Sequence, residues 1–299
     1  MGFTPEETQA CRRLVEMALE EDLGAAGDIT SKAVIPADLQ GRAVFVARAA
    51  GVVAGLPAVE LVLQTVHTPL LKFQPLVQDG TGVAPGDRLA VVSGLMEFIL
   101  TSERTALNFL QHLSGIATLT RQYVDAVAGL PCRILDTRKT IPGWRLLEKY
   151  AVRCGGGHNH RMGLYDGILV KDNHLAALNR AGFGIYDAVE KAQNLVGGSV
   201  PIEMEVDNLE QFDHALACCP EIILLDNMPP EDLREAVRRR DLEKSRMDPH
   251  TRDVLLEASG GVTLETVRAI AETGVDRISV GALTHSAAAL DIALDYVQD

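Results

Sequence analysis

The sequence predicts an α/β protein in which a smaller N-terminal domain precedes a parallel-stranded barrel. The chain has 299 residues, enough for one barrel and a smaller domain. From Arg133 onward, about six short apolar runs alternate with helical segments, the rhythm of βα units around a parallel sheet. No dinucleotide-binding glycine fingerprint accompanies these runs, which favours a barrel over an open doubly wound sheet.

The N-terminal segment predicts a capped helix followed by a small sheet. Thr4, Pro5 and Glu7 have the arrangement of a capping box with proline at the first helical position, and apolar residues follow at helical spacing. Residues 23–36 have the composition of a loop. We expect a mostly antiparallel sheet with helices beside it, because glycine and proline separate short β-prone runs at residues 43–46, 52–54, 70–77 and 88–92.

A long helix, or two helices broken at Gly115, is predicted over residues 96–127. Apolar positions recur there at helical spacing, and no proline interrupts them. We interpret this segment as the hinge between the domains. Arg104 lies on it, and an exposed arginine on a helix is ordinarily a solvated charge.

Polar residues follow each apolar run of the C-terminal part. Because the active site of an α/β barrel forms at the carboxyl ends of its strands, we expect these residues to converge at one rim. The runs are 134–135, 168–170, 202–206, 222–225, 254–257 and 278–280, and the residues at their ends include Thr137, Arg138, Lys139, Lys171, Glu205, Asp226, Ser259, Gly260, Gly261 and Gly281.

The charge distribution predicts a small anionic ligand. The formal net charge is −13, which argues against general binding to nucleic acid or to an anionic membrane. Residues 133–174 reverse this sign with eight Lys/Arg against four Asp/Glu. The five cysteines are scattered without a C-x-x-C pair, and neither a targeting region nor a membrane-length apolar run is recognisable, so we expect a cytoplasmic protein.

The residue types at the rim suggest two kinds of contact. Glycines after the last two runs would let backbone N–H groups approach a phosphate, with a helix beginning at Val262 and Thr263 directing its positive end there. Guanidinium and ammonium groups suit carboxylates or phosphates, and the candidates are Arg138, Lys139, Arg161 and Lys171.

Three further interpretations concern acidic and basic residues near these candidates. Glu203 and Glu205 lie two apart on one strand and share a face; we interpret Glu205 as functional and Glu203 as a buried partner of a basic residue. The basic residues Arg145, Lys149 and Arg153 are expected on a solvated helix face. Residues 238–253 are expected to form a solvated loop.

Taken together, the motifs resemble the quinolinate phosphoribosyltransferase family over nearly the whole chain. The resemblance depends on their combination and order: Glu21-Asp22-Leu23, Gly27-Asp28-Ile29-Thr30, Glu103-Arg104-Thr105-Ala106-Leu107-Asn108, Thr137-Arg138-Lys139-Thr140, Glu148-Lys149, Gly155-Gly156-Gly157, His160-Arg161, Lys171-Asp172-Asn173-His174, Glu205, Leu225-Asp226-Asn227 and Ser259-Gly260-Gly261. The connection at 238–253 is longer than is usual in the family.

The resemblance implies an N-terminal α/β sandwich over residues 1–115 and an incomplete α/β barrel with the active site over 116–299. It allows the last helix to pack back on the N-terminal domain. It also implies a homodimer in which one subunit's N-terminal domain caps the partner's site, with assembly beyond the dimer left open. The implied reaction converts quinolinate and phosphoribosyl pyrophosphate, with Mg²⁺, into nicotinate mononucleotide, pyrophosphate and carbon dioxide for NAD synthesis.

The resemblance assigns a role to each matching residue. The quinolinate pocket would comprise Thr137, Arg138, Lys139, His160, Arg161 and Lys171, with Arg104 from the other subunit. Glu205 and Asp226 would face the ribose hydroxyls and the magnesium-bound pyrophosphate, coordinating the metal directly or through water. With Lys139 they form the expected catalytic set. The 5′-phosphate would be held by Ser259, Gly260, Gly261 and Gly281.

Two alternatives compete with this interpretation. A phosphoribosyltransferase acting on nicotinate or another pyridine carboxylate, without decarboxylation, would need fewer carboxylate-binding groups than this sequence has. A non-enzymatic protein that senses or stores a phosphoribosyl ligand would be expected to lack some of Lys139, Glu205 and Asp226, and all three are present.

Overall fold

The computed structural model of the chain describes residues 2–66, 70–246 and 253–297. The helices are α1 Pro5–Leu23, α2 Ile29–Val34, α3 Leu56–Val66, α4 Met96–Ala126, α5 Arg145–Cys154, α6 Asp172–Arg180, α7 Ile185–Val196, α8 Leu209–Ala217, α9 Pro230–Lys244, α10 Val267–Ala271 and α11 Ala282–His285. The strands are β1 Gln40–Ala47, β2 Gly51–Val52, β3 Leu71–Pro75, β4 Gly82–Val83, β5 Arg88–Leu95, β6 Arg133–Leu135, β7 Ile168–Val170, β8 Ile202–Val206, β9 Ile222–Asp226, β10 Leu255–Ser259, β11 Arg277–Ser279 and β12 Ile292–Tyr296.

The chain divides into two compact units. The first contains Met1–Arg121, Lys139–Gly157 and Ala282–Asp299, and the second contains Gln122–Arg138 and His158–Gly281. The predicted division between residues 115 and 116 falls inside α4, six residues before the change of unit. Two later segments also belong to the first unit: the C-terminal Ala282–Asp299, whose packing on the N-terminal domain the prediction allowed, and Lys139–Gly157, which the linear division did not anticipate.

The first unit is built on a four-stranded antiparallel sheet in the order β12-β1-β5-β3. The apolar side chains of β1 and β5 are buried, with Phe45 and Leu89 almost inaccessible to solvent. The predicted final helix is wrong: the last described element is the strand β12, whose Leu294 pairs with Phe45 of β1. The apolar spacing of these residues also fits a helix. They form a strand because the side of β1 that does not pair with β5 offers backbone groups for hydrogen bonding.

Local sequence accounts for the helix starts in this unit. Thr4 and Glu7 form the predicted capping box at the start of α1, which is confirmed. The expectation of a loop over residues 23–36 is wrong in part, because α2 begins after Asp28, whose carboxylate accepts a hydrogen bond from the Ser31 amide at 2.9 Å. The long helix over residues 96–127 is confirmed as one unbroken helix, α4.

The second unit contains six parallel strands in the order β6-β11-β10-β9-β8-β7. This sheet confirms the predicted incomplete α/β barrel, and its strands coincide with the six apolar runs. Helix α9 covers part of the expected loop over residues 238–253; residues 247–252 lie outside the described residues. Across the described ranges, no helix is long and apolar enough to cross a membrane.

Candidate active site

The register of the parallel sheet brings several predicted residues of the second unit onto one face. Glu205 of β8 pairs with Leu224 of β9, and Leu224 pairs with Glu257 of β10. Two residues further along these strands, Asp226 pairs with Ser259. Because alternate residues of a strand point to the same side, Glu205, Asp226, Glu257 and Ser259 face one way, and so does Glu203.

A short ion pair joins Lys171 to Glu205 at the end of β7 and β8. The Lys171 Nζ lies 2.6 Å from Glu205 Oε2, and the Lys171 side chain is 47% exposed while that of Glu205 is 11% exposed. The two residues were predicted to belong to different halves of a site. The structure brings them into direct contact.

Arg161 and Arg138 form an arginine pair in the second unit. Burial lowers the pKa of Arg161, and the positive charge of Arg138 lowers it further, whereas the charges of Glu203 and Asp166 raise it. The Arg161 Nη1 donates a hydrogen bond to the Gly167 carbonyl at 3.0 Å, which fixes one side of the guanidinium. Guanidinium groups of this kind are suited to a carboxylate or a phosphate.

The segment that bears Arg161 is attached to the end of β6. His158 forms a parallel bridge with Leu135, and its amide donates to the Ile134 carbonyl at 2.8 Å. The buried Asp136 carboxylate accepts hydrogen bonds from the His160 amide at 2.9 Å and from the Asn159 side chain at 2.6 Å. These hydrogen bonds hold residues 158–160 in place although the segment has no regular secondary structure.

A buried cluster of charged side chains surrounds the His160 ring. His160 Nε2 lies 3.1 Å from Glu203 Oε2 and 3.3 Å from Glu257 Oε1, and Arg277 Nε lies 2.9 Å from Glu257 Oε2. The contacts of Glu257 are at ion-pair distance but lack the alignment of full hydrogen bonds. Glu203 is thus the buried partner of a basic residue, as expected.

Opposing effects act on the pKa values of the cluster. Burial would lower the pKa of His160, but hydrogen bonding and the charges of Glu203 and Glu257 raise it to about 9. Burial, reinforced by the Glu257 charge, raises the pKa of Glu203. Although burial opposes it, contact with His160 and Arg277 lowers the pKa of Glu257. Because the Arg161 amide donates to His160 Nδ1, the N–H of the ring is at Nε2, which faces Glu203 and Glu257.

Two sets of possible ligands can be tested against a metal ion. The ligand atoms of His160, Glu203 and Glu257 lie within 4.8 Å of one another, yet the Nε2 distances match hydrogen bonds, and Arg277 opposes a dication there. Glu205 and Asp226 are partly accessible carboxylates on neighbouring strand ends with the same facing. Hard oxygen ligands of this type fit Mg²⁺, and a metal bound there would compete with Lys171 for Glu205.

The glycine-rich end of β10 adopts a conformation that requires glycine. Gly260 and Gly261 have φ angles of +95° and +57°, and a Cβ on Gly260 would lie 2.2 Å from Asn227 Oδ1. The expected helix start at Val262 and Thr263 is wrong, because α10 begins at Val267 and has five residues. The backbone N–H groups of the glycine loop therefore remain as the possible phosphate ligands, without a helix end.

Other predicted residues lie in the first unit. Lys139 is exposed, and its carbonyl accepts a hydrogen bond from Thr284 Oγ1 at 2.7 Å. Arg104 is exposed on α4. The expected solvated face of α5 is wrong for Lys149, which is fully buried, and Arg153 is half-buried in an ion pair with Glu7. A spacing of four residues places these basic side chains on one face of α5, but it does not show which residues pack against that face.

The sequence reasoning missed three residues that support the site: Asp136, Glu257 and Arg277. Asp136 and Glu257 were noted only as parts of strands or strand ends. The two-residue period did carry a signal for Glu257, which precedes Ser259 by two positions and so shares its face. Arg277 gave no such signal, because its role depends on a partner on the neighbouring strand.

The fold defines a two-domain α/β protein with an incomplete parallel barrel, and sequence comparison identifies its family. Residues 28–114 match the profile of the quinolinate phosphoribosyl transferase N-terminal domain, and residues 116–295 match that of the C-terminal domain. The chain belongs to the quinolinate phosphoribosyl transferase family.

Curated relatives and a solved structure agree with this assignment. A Mycobacterium leprae nicotinate-nucleotide pyrophosphorylase (carboxylating) is 46% identical over 97% of this chain and 98% of its own length. A Nicotiana glauca quinolinate phosphoribosyltransferase (decarboxylating) is 42% identical over 96% of this chain and 82% of its own. The nicotinate-nucleotide pyrophosphorylase structure from Francisella tularensis has a TM-score of 0.88 and 38% identity, covering 99% of this chain and 98% of its own.

Proposed function

We propose that this protein transfers the phosphoribosyl group of phosphoribosyl pyrophosphate to quinolinate, releasing pyrophosphate and carbon dioxide and forming nicotinate mononucleotide for NAD synthesis. The observation that carries the proposal is the position of Lys171, Glu205, Asp226 and Ser259 at the carboxyl ends of neighbouring parallel strands, with Lys171 and Glu205 in contact at 2.6 Å. The partly buried guanidinium of Arg161 suits one carboxylate of a pyridine dicarboxylate. Lys139 and Lys171 would add positive charge, and Thr137 and His160 would line the same pocket. The activities for which the relatives are named support the same reaction, since carboxylation describes the reverse direction.

The phosphoribosyl half of the substrate pair is assigned to the neighbouring strand ends. The loop formed by Ser259, Gly260 and Gly261 would hold the 5′-phosphate through backbone N–H groups, together with Gly281. Glu205 and Asp226 would orient the ribose hydroxyls and hold Mg²⁺ directly or through water. Bound there, Mg²⁺ would neutralise charge on the departing pyrophosphate.

The proposed chemistry needs no nucleophilic side chain. The ring nitrogen of quinolinate attacks C1 of the ribose while the C1–oxygen bond breaks, and its electron pair leaves with pyrophosphate. Glu205 and Asp226 stabilise positive charge on the ribose, and Lys139 stabilises the negative charge of the leaving group. The carboxylate beside the quaternary nitrogen then leaves as carbon dioxide, its bonding electrons remain on the ring carbon, and a solvent proton takes its place.

The direct test is incubation of the purified protein with quinolinate, phosphoribosyl pyrophosphate and Mg²⁺. We expect carbon dioxide and nicotinate mononucleotide in equal amounts. A parallel reaction with nicotinate in place of quinolinate addresses the alternative, a phosphoribosyltransferase that does not decarboxylate. Turnover of nicotinate without turnover of quinolinate would refute the proposal.

A substitution connects the activity to the arginine pair. If Arg161 makes a charge-assisted contact worth about 1.5–3 kcal/mol, Arg161→Ala should reduce kcat/KM for quinolinate by about 10- to 150-fold. Unchanged kinetics in a folded Arg161→Ala protein would remove Arg161 from the pocket.

We further propose a homodimer in which Arg104 completes the quinolinate pocket of the other subunit. The exposure of Arg104 on α4 supports this role. Mixing inactive Arg104→Ala protein with inactive Lys139→Ala protein should restore part of the activity, because some hybrid sites would contain neither substitution. No recovery, once subunit exchange has been verified by mass, would count against it. We also propose a cytoplasmic location, which is supported by five free cysteines.

A further inference from the structure

The His160 ring is held at both of its nitrogen atoms by groups of the second unit. Nε2 faces two buried carboxylates, 3.1 Å from Glu203 and 3.3 Å from Glu257. Nδ1 accepts a hydrogen bond from the Arg161 amide at 2.8 Å. The ring therefore connects the acidic pair on β8 and β10 to the backbone of Arg161.

The acidic pair is itself fixed from the sheet. Glu257 is fully buried and lies 2.9 Å from Arg277 on the adjacent strand β11, with which it is in register. Glu203 is nearly as buried, on β8. Side chains on paired strands have little freedom to move, so the ring is supported by rigid elements and not by a loop.

Arg161 is in turn restrained at two points. Its amide is held by His160, and its Nη1 donates to the Gly167 carbonyl at 3.0 Å. The loop between them is closed by Asp166, which accepts hydrogen bonds from the amides of Met162 and Gly163 at 2.7 and 2.8 Å. Loss of the His160 support would leave the backbone of Arg161 without one of its two restraints.

We infer that Glu203, Glu257 and Arg277 are positioning residues that orient the His160 ring and, through its Nδ1, set the placement of Arg161 for the substrate carboxylate. This inference rests on the proposed function. A buried ion cluster is generally no more stabilising than apolar residues of the same volume. Here the cluster acts by orienting the His160 ring and Arg161, since a misplacement of about 1 Å at a binding group can cost about 100-fold in rate.

The first test is steady-state kinetics of Glu257→Gln, which keeps the size of the side chain and removes its charge. We expect kcat/KM for quinolinate to fall about 10- to 100-fold through a higher KM, while the KM for phosphoribosyl pyrophosphate changes less than about twofold. Equal increases in both KM values, or no change in either, would overturn the inference. Glu221→Gln is the control for loss of a structural carboxylate elsewhere in the sheet, because the partly buried Glu221, just before β9, accepts a hydrogen bond from the Ile202 amide at 2.9 Å.

The second test asks whether the effect passes through Arg161. In an Arg161→Ala background there is no guanidinium to place, so Glu257→Gln should change kcat/KM for quinolinate by less than about twofold. A full additional loss in the double variant would indicate a general structural defect and would overturn the inference. His160→Asn offers a partial rescue, because its side-chain oxygen can still accept from the Arg161 amide, and it should retain more activity than His160→Ala.

A variant that fails to fold would not end the test. Glu257→Gln combined with Arg277→Met removes both charges of the pair and leaves neither one buried alone; the same selective change in the quinolinate KM is expected. The wild-type reaction distinguishes a failure of the proposed function from a failure of the positioning role. Absence of quinolinate turnover in the wild type refutes the proposed function, whereas normal turnover with an unaltered quinolinate KM in the variants refutes only the positioning role.

Discussion

Lys171 Nζ lies 2.6 Å from Glu205 Oε2, so that a residue assigned to the quinolinate pocket and one assigned to the phosphoribosyl pocket form one ion pair. The two strands that carry them, β7 and β8, are neighbours in register. The pair therefore lies at the boundary between the two proposed halves of the site.

Replacing Lys171 should reduce activity with little effect on stability. Its side chain is 47% exposed, and ion pairs of this exposure contribute less than about 1 kcal/mol. Lys171→Met should therefore change the free energy of urea unfolding by less than about 1 kcal/mol, while the KM for quinolinate rises about 10-fold or more. The control is Lys244→Met, which removes a more exposed ion pair, with Asp253 at 2.7 Å. Identical kinetics in the two variants would contradict the assignment.

Thr284 should be required for the placement of Lys139. The buried Thr284 hydroxyl donates to the Lys139 carbonyl at 2.7 Å, and Thr284→Val, which has nearly the same shape, removes this donor. The unfolding free energy should fall by about 1–3 kcal/mol, and kcat should decrease because the backbone at Lys139 is less restrained. Thr284→Ser retains the hydroxyl and should stay within about twofold of wild type. Equal behaviour of the Val and Ser variants would exclude this role.

The fold could be predicted where one element carries its own pattern. Most of the six parallel strands are short apolar runs with polar ends, and in β8 the two-residue period puts Glu203 and Glu205 on one face without knowledge of their neighbours. Burial of Lys149 and the strand β12 could not be predicted, because each depends on residues distant in sequence. The same limit applies to Glu257, whose contacts with His160 and Arg277 join three separate segments.

The two glycines after β10 should differ in their tolerance of alanine. A Cβ at Gly260, where φ is +95°, would lie 2.2 Å from Asn227 Oδ1, whereas nothing lies within 4 Å of the Cβ position at Gly261, where φ is +57°. Gly260→Ala must displace the Asn227 side chain, which donates a hydrogen bond to Asp226, and should lose most activity. Gly261→Ala bears mainly the cost of a left-handed backbone, about 1–2 kcal/mol, and Gly261→Asn should be milder still. Kinetics and thermal melting of the three proteins test this order; equal effects at both positions would refute it.

The charge of Asp28 should make stability depend on pH through the capping of α2. Hydrogen bonds from Ser31 hold the pKa of Asp28 below its ordinary value of 3.8. A lowered pKa in the folded state means that this stabilisation is complete above pH 3.8 and is lost as the pH falls through the folded value. Asp28→Ala should reduce the unfolding free energy at pH 7 by about 0.5–2 kcal/mol. Asp28→Asn keeps a capping oxygen and should cost less at pH 7. Its difference from wild type should shrink in urea titrations between about pH 5 and pH 2, since the wild-type carboxylate is then protonated; a difference that stays constant over this range would show that the charge contributes nothing to the cap.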